Sequence, residues 1–222
     1  MKPYFIKTPS LLKIIFSKWS WSFSAKEKNI YLTFDDGPTP EITEWTLEQL
    51  KKYKAKATFF CIGKNVENHP EIFQKIIKEK HAIGNHTHNH LNGWKTNTQE
   101  YFKNFEKADS TIYNNTGLFS EASSVSLETR KLFRPPYGKM SLKQSKKIRD
   151  KGYKIIAWDV ISADFDTEIS VKRCLNNVVK NTANGSIIVF HDSVKASEKL
   201  KYVLPKILEY YSVKGYSFKK IG

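Results

Sequence analysis

The chain has 222 residues, 40% of them hydrophobic and 27% charged, which is enough for one domain with a full core and too apolar for a disordered chain. Its formal charge of +15 points to an anionic partner, but almost all of the positive charge is Lys, with Arg only at positions 130, 134, 149 and 173. Base readout and bidentate phosphate clamps favour Arg, and the lysines run along the whole chain, so a solvated basic surface is expected and no nucleic-acid site.

In chain order, residues 1–28 form an extension whose Leu11-Leu12-Lys13-Ile14-Ile15-Phe16 run is broken by a lysine. It is too short to span a membrane, and it lacks both the continuous apolar core and the small-residue cleavage site of a signal peptide. The extension is expected to pack on the domain, and a cytoplasmic location is the default. Ile30–Phe34 reads as a strand ending at the turn signal Asp36-Gly37-Pro38. A helix over 41–53, a strand over Ala57–Cys61, a helix opened by Pro70 and running to about Lys80, and a strand at Ala82–Asn85 follow. Next come a helix over 97–113 and a polar stretch, 114–130, expected to form a loop bordering the groove. Then the pattern gives a strand over 132–134, a helix over 141–150, a strand over Lys154–Trp158, a helix over 168–182 and the very apolar strand Ser186–Phe190. A helix over 196–212 contains Pro205, where a kink or break is expected; Ser217–Ile221 is the last strand. Seven strands separated by helices predict βαβ units and an α/β fold: a distorted, incomplete (β/α) barrel of about seven parallel strands, with residues 1–222 forming a single domain.

Cys61 lies in the apolar run Thr58–Ile62, far from Cys174, and the two form no CxxC pair. Neither a disulfide nor a thiolate metal site is expected. Aromatic residues, at 14%, would suit a sugar-stacking groove, but an ordinary core is the expected use of them.

The titratable residues cluster just beyond apolar strands. Asp35 and Asp36 follow the first strand, His86 and His90 the third. Arg134 ends the fourth, Asp159 and Asp164 follow the fifth, and His191 and Asp192 the sixth. In a β/α barrel the C-terminal strand ends converge on one face, so these groups are predicted to meet. Three His within residues 86–90, out of six in the chain, point to a metal. One Asp with two His makes the three-ligand set of a hydrolytic centre, leaving a carboxylate as general base and a His as general acid.

These residues resemble the NodB-like polysaccharide deacetylases of carbohydrate esterase family 4, over roughly residues 29–222. The motifs stand as Thr33-Phe34-Asp35-Asp36-Gly37-Pro38, His86-Thr87-His88-Asn89-His90, Arg134-Pro135-Pro136-Tyr137, Trp158-Asp159-Val160 continuing to Asp164-Phe165, and Val189-Phe190-His191. The resemblance implies a distorted barrel in which Asp36, His86 and His90 hold one divalent metal ion. Asp35 would then be the general base, paired with Arg134. The Tyr137 N–H would bind the oxyanion, and His191 would be the general acid, oriented by Asp164. Thr87 would support the ligand loop, with His88 outside the ligand set. Phe165 stands where relatives often carry Trp, Ile161 where they often carry a carboxylate, and Val189 where they carry Leu. Tyr137, Phe165 and Val189 are thus the expected substrate wall. The implied function is metal-dependent removal of N-acetyl groups from N-acetylglucosamine glycans, with acetate released; O-acetyl ester hydrolysis on a xylan-type glycan is the alternative. Zn2+ suits the ligands, which also accept Co2+, Ni2+ or Mn2+. A degenerate carbohydrate-binding protein is argued against by the complete set of site residues. The basic surface adds attraction to anionic envelope polymers.

Overall fold

The computed structural model describes residues 4–117 and 131–222. Its core is a parallel sheet built from β1 (Asn29–Asp35), β2 (Thr58–Cys61), β3 (Ala82–Asn85), β4 (Leu132–Phe133), β5 (Lys154–Ile155), β6 (Val160–Ile161), β7 (Ile187–His191) and β8 (Ser217–Phe218). Seven strands run in the order β5-β4-β3-β2-β1-β7-β6, and β8 pairs with β1 off this path. The path curls into an open half-barrel, the distorted, incomplete barrel expected. The short strands differ from the sequence reading. The expected strands over 154–158 and 217–221 are each regular for only two residues, and β6 was not anticipated because two residues carry no periodicity.

Helices α1 (Ser10–Ile15), α2 (Ile42–Lys52), α3 (Gly63–Asn68), α4 (Pro70–Lys78), α5 (Thr98–Gly117), α6 (Leu142–Asp150), α7 (Val171–Asn181) and α8 (Ser197–Val213) complete the fold. Local chemistry sets several of their ends. Pro70 takes the first turn of α4, Ser141 and Gln144 form a reciprocal capping box on α6, and Ser170 accepts the Arg173 N–H at the start of α7. Helix α8 continues through Pro205 without the expected break. The expected loop over 114–130 is helical as far as Gly117, and residues 118–130 lie outside the described residues.

Alternation along the strands sorts the core. Ile30, Leu32 and Phe34 of β1, with Phe59, Ile83, Ile188 and Phe190, pack outward under the helices. Tyr31, Phe60, Ala82, Leu132, Ile156 and Ile187 fill the inside of the half-barrel. Strand period two therefore puts Thr33, Asp35, Arg134, Val189 and His191 on the inner face, at or toward the C-terminal strand ends.

The open side is stitched by residues 4–28. The Thr8 N–H donates to Asp159 O and the Ile161 N–H to Ile6 O, each at 2.9 Å. The Ser20 N–H donates to Ile155 O at 2.9 Å and the Ala157 N–H to Ser20 O at 2.8 Å. Lys7 and Lys13 reach Asp159 at 2.6 and 2.5 Å. The exposed N–H and C=O groups of edge strands are thereby paired. No described helix is long and apolar enough to cross a membrane.

Candidate active site

The chain leaves β1 through Asp36, whose φ of 81° puts it in the left-handed region that Asp tolerates. The loop is held from three sides. Asn65 Nδ2 donates to Asp36 O at 2.7 Å, the Ile62 N–H donates to Gly37 O at 3.0 Å, and the Gly37 N–H donates to Asp192 Oδ1 at 3.0 Å. A Cβ on Gly37 would stand 2.1 Å from Asp192 Oδ2, so only glycine fits there. Asp192 also accepts from Thr43 Oγ1 at 2.5 Å. Burial drives the Asp192 carboxyl up to about 7.

The loop after β3 is bound as firmly. Asn85 Oδ1 accepts the Thr87 N–H, Thr87 Oγ1 accepts the Leu91 N–H, and Asn104 Oδ1 accepts the N–H of both His88 and Asn89. Thr87 and His90 both take left-handed backbone, with φ of 63° and 54°. Tyr137 and Ala163, beside the site, do the same, with φ of 60° and 62°. Such strain gathers where a surrounding structure fixes functional groups.

These loops bring Asp36, His86 and His90 together, with one ligand atom from each lying within 4.8 Å of the others. Asp36 Oδ1 stands 3.2 Å from His90 Nε2 and 3.7 Å from His86 Nε2. The His86 Nδ1–H donates to Arg134 O at 2.8 Å, which turns the Nε2 lone pair toward Asp36. Burial pulls His86 down to about 4, so it is neutral, as a ligand must be. Asp36 Oδ1 is buried and makes no hydrogen bond, an acceptor that a cation would satisfy. Burial opposes the Asp36 charge, yet His90, His191 and His86 outweigh it and hold the carboxyl below the usual range. The donor set is that of a three-ligand metal site. His88 turns away, with its Nε2 3.5 Å from Glu67.

Next to this triad, Arg134 is wholly buried. Its Nη1 donates to Thr33 Oγ1 at 2.6 Å and Asp35 Oδ1 at 2.7 Å, Nε donates to Ile156 O, and Nη2 donates to Ala157 O. Its guanidinium carbon lies 4.1 Å from the Phe60 ring centre. On the other side, β1 and β7 pair in a register that sets Asp35 beside His191 and Thr33 beside Val189. Asp164 grips His191 twice, accepting its backbone N–H and facing its Nδ1, both at 2.8 Å. Burial alone would lower the His191 pKa, but the Asp164 carboxylate reverses this and raises it to about 9. Phe165 packs edge-on against the His191 ring, 5.1 Å between centres. Val189, buried, is two residues before His191 on the same face. Tyr137 is exposed, with its ring 4.6 Å from His90 and its hydroxyl 3.1 Å from His90 Nδ1.

Asp35, Asp36, His86, His90, Arg134, Tyr137, Asp164, Phe165, Val189 and His191 thus occupy one end of the half-barrel. Asp159 is the correction: it does not join them. It follows the inward-facing Trp158, so its carboxylate turns away to Lys7, Lys13 and Ser186 Oγ. Asn65, Asn104 and Thr43 were not anticipated, because a side chain that braces a distant backbone carries no local signal.

The family model described as polysaccharide deacetylase matches residues 24–156, more than half of the chain. The chain belongs to the polysaccharide deacetylase family. Within it, the chain is 35% identical over 200 residues to a peptidoglycan-N-acetylglucosamine deacetylase of Bacillus cereus, covering 90% of this chain and 89% of that one. It is 30% identical over 172 residues to a chitooligosaccharide deacetylase of Azorhizobium caulinodans, covering 78% and 77%. Some relatives are longer, and the chain spans 34% of one such peptidoglycan deacetylase. A solved peptidoglycan N-acetylglucosamine deacetylase, in complex with 4-naphthalen-1-yl-N-oxidanyl-benzamide, superposes with a TM-score of 0.84 at 30% identity, covering 96% of this chain and 95% of that one. As a member of this deacetylase family the chain is a hydrolase acting on C–N bonds.

Proposed function

We propose that this deacetylase hydrolyses N-acetyl groups on N-acetylglucosamine units of peptidoglycan, using one divalent metal ion, zinc in the first instance. The observation that carries the reading is the Asp36–His86–His90 triad beside Asp35, clamped by Arg134, and His191, clamped by Asp164. The names of the relatives and the +15 charge, which attracts the chain to anionic wall polymer, favour peptidoglycan over neutral chitin oligomers.

Asp36, His86 and His90 would hold the metal, which supplies Lewis acidity to the acetyl carbonyl and acidifies water. Asp35 removes the water proton; Arg134 holds its carboxylate in place. The Tyr137 N–H donates to the oxygen that gains negative charge. His191, protonated at neutral pH and held by Asp164, gives its Nε2 proton to the leaving amine nitrogen. Val189 and Phe165 exclude water around the acetyl methyl.

Acetate release from peptidoglycan and from N-acetylglucosamine oligomers tests this, with chelated protein, with zinc restored, and with Asp35→Asn. Zinc-restored release that Asp35→Asn abolishes is the expected result. Release only from O-acetylated glycans, with His191→Ala nearly as active as the parent, would overturn it in favour of an esterase.

A further inference from the structure

We propose that an apolar cavity beside Tyr137 is a subsite for one further hexopyranose ring of the substrate chain. This rests on the deacetylase reading above. The cavity encloses about 260 Å³ between the N-terminal segment and the loops after β3 and β4, with Leu12, Phe16, Trp21, Trp94, Trp158 and Tyr137 among its walls. That lies just below the roughly 300–1,000 Å³ of drug-sized ligand sites, a size for one ring rather than an oligomer.

Its chemistry suits a sugar face. The indole N–H of Trp19 donates to Ser145 Oγ, that of Trp21 to Phe16 O and that of Trp94 to Met140 O, at 3.0–3.2 Å. Thr8 Oγ1 donates to Trp158 O and Tyr4 Oη to Asp166 Oδ2, each at 2.7 Å. These five donors are thus spent internally, which orients the rings and leaves their faces toward the cavity, with the Lys139 ammonium as a charged donor in the same wall. A pyranose presents C–H bonds on its two faces, and these complement the negative face of an indole or phenol ring. Trp94 remains 67% exposed although its N–H is fixed, and the Lys139 ammonium lies over its ring, 5.2 Å from the centre, so the ring is held in place and offers its accessible surface to a sugar.

The occupant follows from continuity. Tyr137 is the partition: one side of its ring lies 4.6 Å from the His90 ring, and the same residue lines the cavity. A ring seated there is next to the one whose acetyl group sits at the triad, so the two belong to one glycan. Tyr4, Thr8, Leu12, Phe16, Trp19 and Trp21 precede residues 24–156, which the family model matches. The cavity thus joins residues ahead of that match to Trp94 and Tyr137 within it.

The test is kcat/KM for the monomer through the tetramer of N-acetylglucosamine with zinc-loaded protein, comparing wild type, Trp94→Ala and Trp94→Phe. Isothermal titration of the tetramer into metal-free protein is run alongside. The expected wild-type gain from monomer to dimer, the step that first fills the cavity, is about five- to tenfold. Trp94→Ala removes that gain and weakens tetramer binding by a similar factor, Trp94→Phe keeps most of both, and all three share one Tm. Equal gains and equal affinities in wild type and Trp94→Ala would overturn the subsite, as would tight binding of decanoate with none of the tetramer. Failure to release acetate from any glycan would instead strike the deacetylase reading, and the binding arm would still judge the cavity.

Discussion

Arg134 Nη1 meets Asp35 Oδ1 at 2.7 Å with the guanidinium fully buried. The inside of the half-barrel therefore carries a buried ion pair directly beneath the catalytic surface. Removing one partner leaves a charge without its counterion, which costs about 3–5 kcal/mol. Arg134→Met is expected to lower the Tm by about 6–20 °C for a chain of this size. Asp35→Asn, which keeps the shape and an acceptor for Arg134, costs less stability and abolishes hydrolysis. Thermal unfolding and acetate release on the two single variants and the double variant measure the coupling. Additive losses would remove the pairing argument.

The His191–Asp164 pair predicts a titration. The His191 pKa is raised from 6.5 to about 9 because the Asp164 carboxylate outweighs burial. The sign is that of a group gaining a partner. Its contribution to stability is complete below about 6.5 and is lost as pH climbs through about 9. In metal-free protein the His191 imidazole resonances should titrate near pH 9, and in Asp164→Asn they should move back toward the ordinary value. An unshifted midpoint in Asp164→Asn would show that another group sets it.

Much of this site was legible because β/α topology converts strand ends into neighbours. His86, Arg134 and His191 each follow or end a short apolar strand, and that alone was enough to place them on one face. The same rule misplaced Asp159, since it reports where a strand ends and not which way the next side chain turns. Parity along Ile156, Ala157 and Trp158 decides that, and a strand regular for only two residues gives parity no pattern to show. Helix α3 was missed for a related reason. Its six residues, Gly63–Asn68, are largely polar and too few for a helical period. Asn65, which braces the Asp36 carbonyl from that helix, was invisible with it.

Metal loading should register as stability. A ligand present at about 100 times its Kd adds about 2.7 kcal/mol to the state that binds it, or about 5–11 °C in Tm. Zinc added to chelated protein should raise the Tm by that order, and His86→Ala or His90→Ala should abolish the rise. His86 is neutral above about pH 4, so the rise should persist to mildly acidic pH on its account. A Tm rise preserved in His86→Ala would exclude it as a ligand.

The N-terminal segment predicts a local effect. Asp159 accepts from Lys7, Lys13 and Ser186, and these contacts outweigh burial to hold its carboxyl below the usual range. That stabilisation is present above the ordinary carboxylate pKa and fades as pH falls through the depressed one. Asp159→Ala is expected to cost about 1–3 kcal/mol, since Ser186 and two ammonium groups lose their acceptor. Proteolysis should then cut first within residues 4–28, and hydrogen exchange should quicken at Thr8 and Ile161. Uniform exchange across the chain would mean that the loss is global.

Asp192 has no place in the proposed chemistry, yet it decides where Asp36 stands. Its Oδ1 accepts the Gly37 N–H at 3.0 Å, and its own N–H donates to Asp35 O at 3.1 Å. The residue after His191 thus fixes both ends of the Asp35–Gly37 turn, tying Asp36, just beyond β1, to His191 on β7. Outer partners of a metal ligand typically change affinity by about 10–100-fold when lost. Asp192→Ala is therefore expected to weaken zinc binding by that factor while leaving His86 and His90 in place. Gly37→Ala should act similarly from the opposite side, because its methyl would occupy the space of the Asp192 carboxylate. Combining the two should recover part of the Gly37→Ala loss, since the methyl then has room. Zinc competition titrations on the three variants read this directly, and strictly additive losses in the double variant would mean that the two residues act on the metal loop independently.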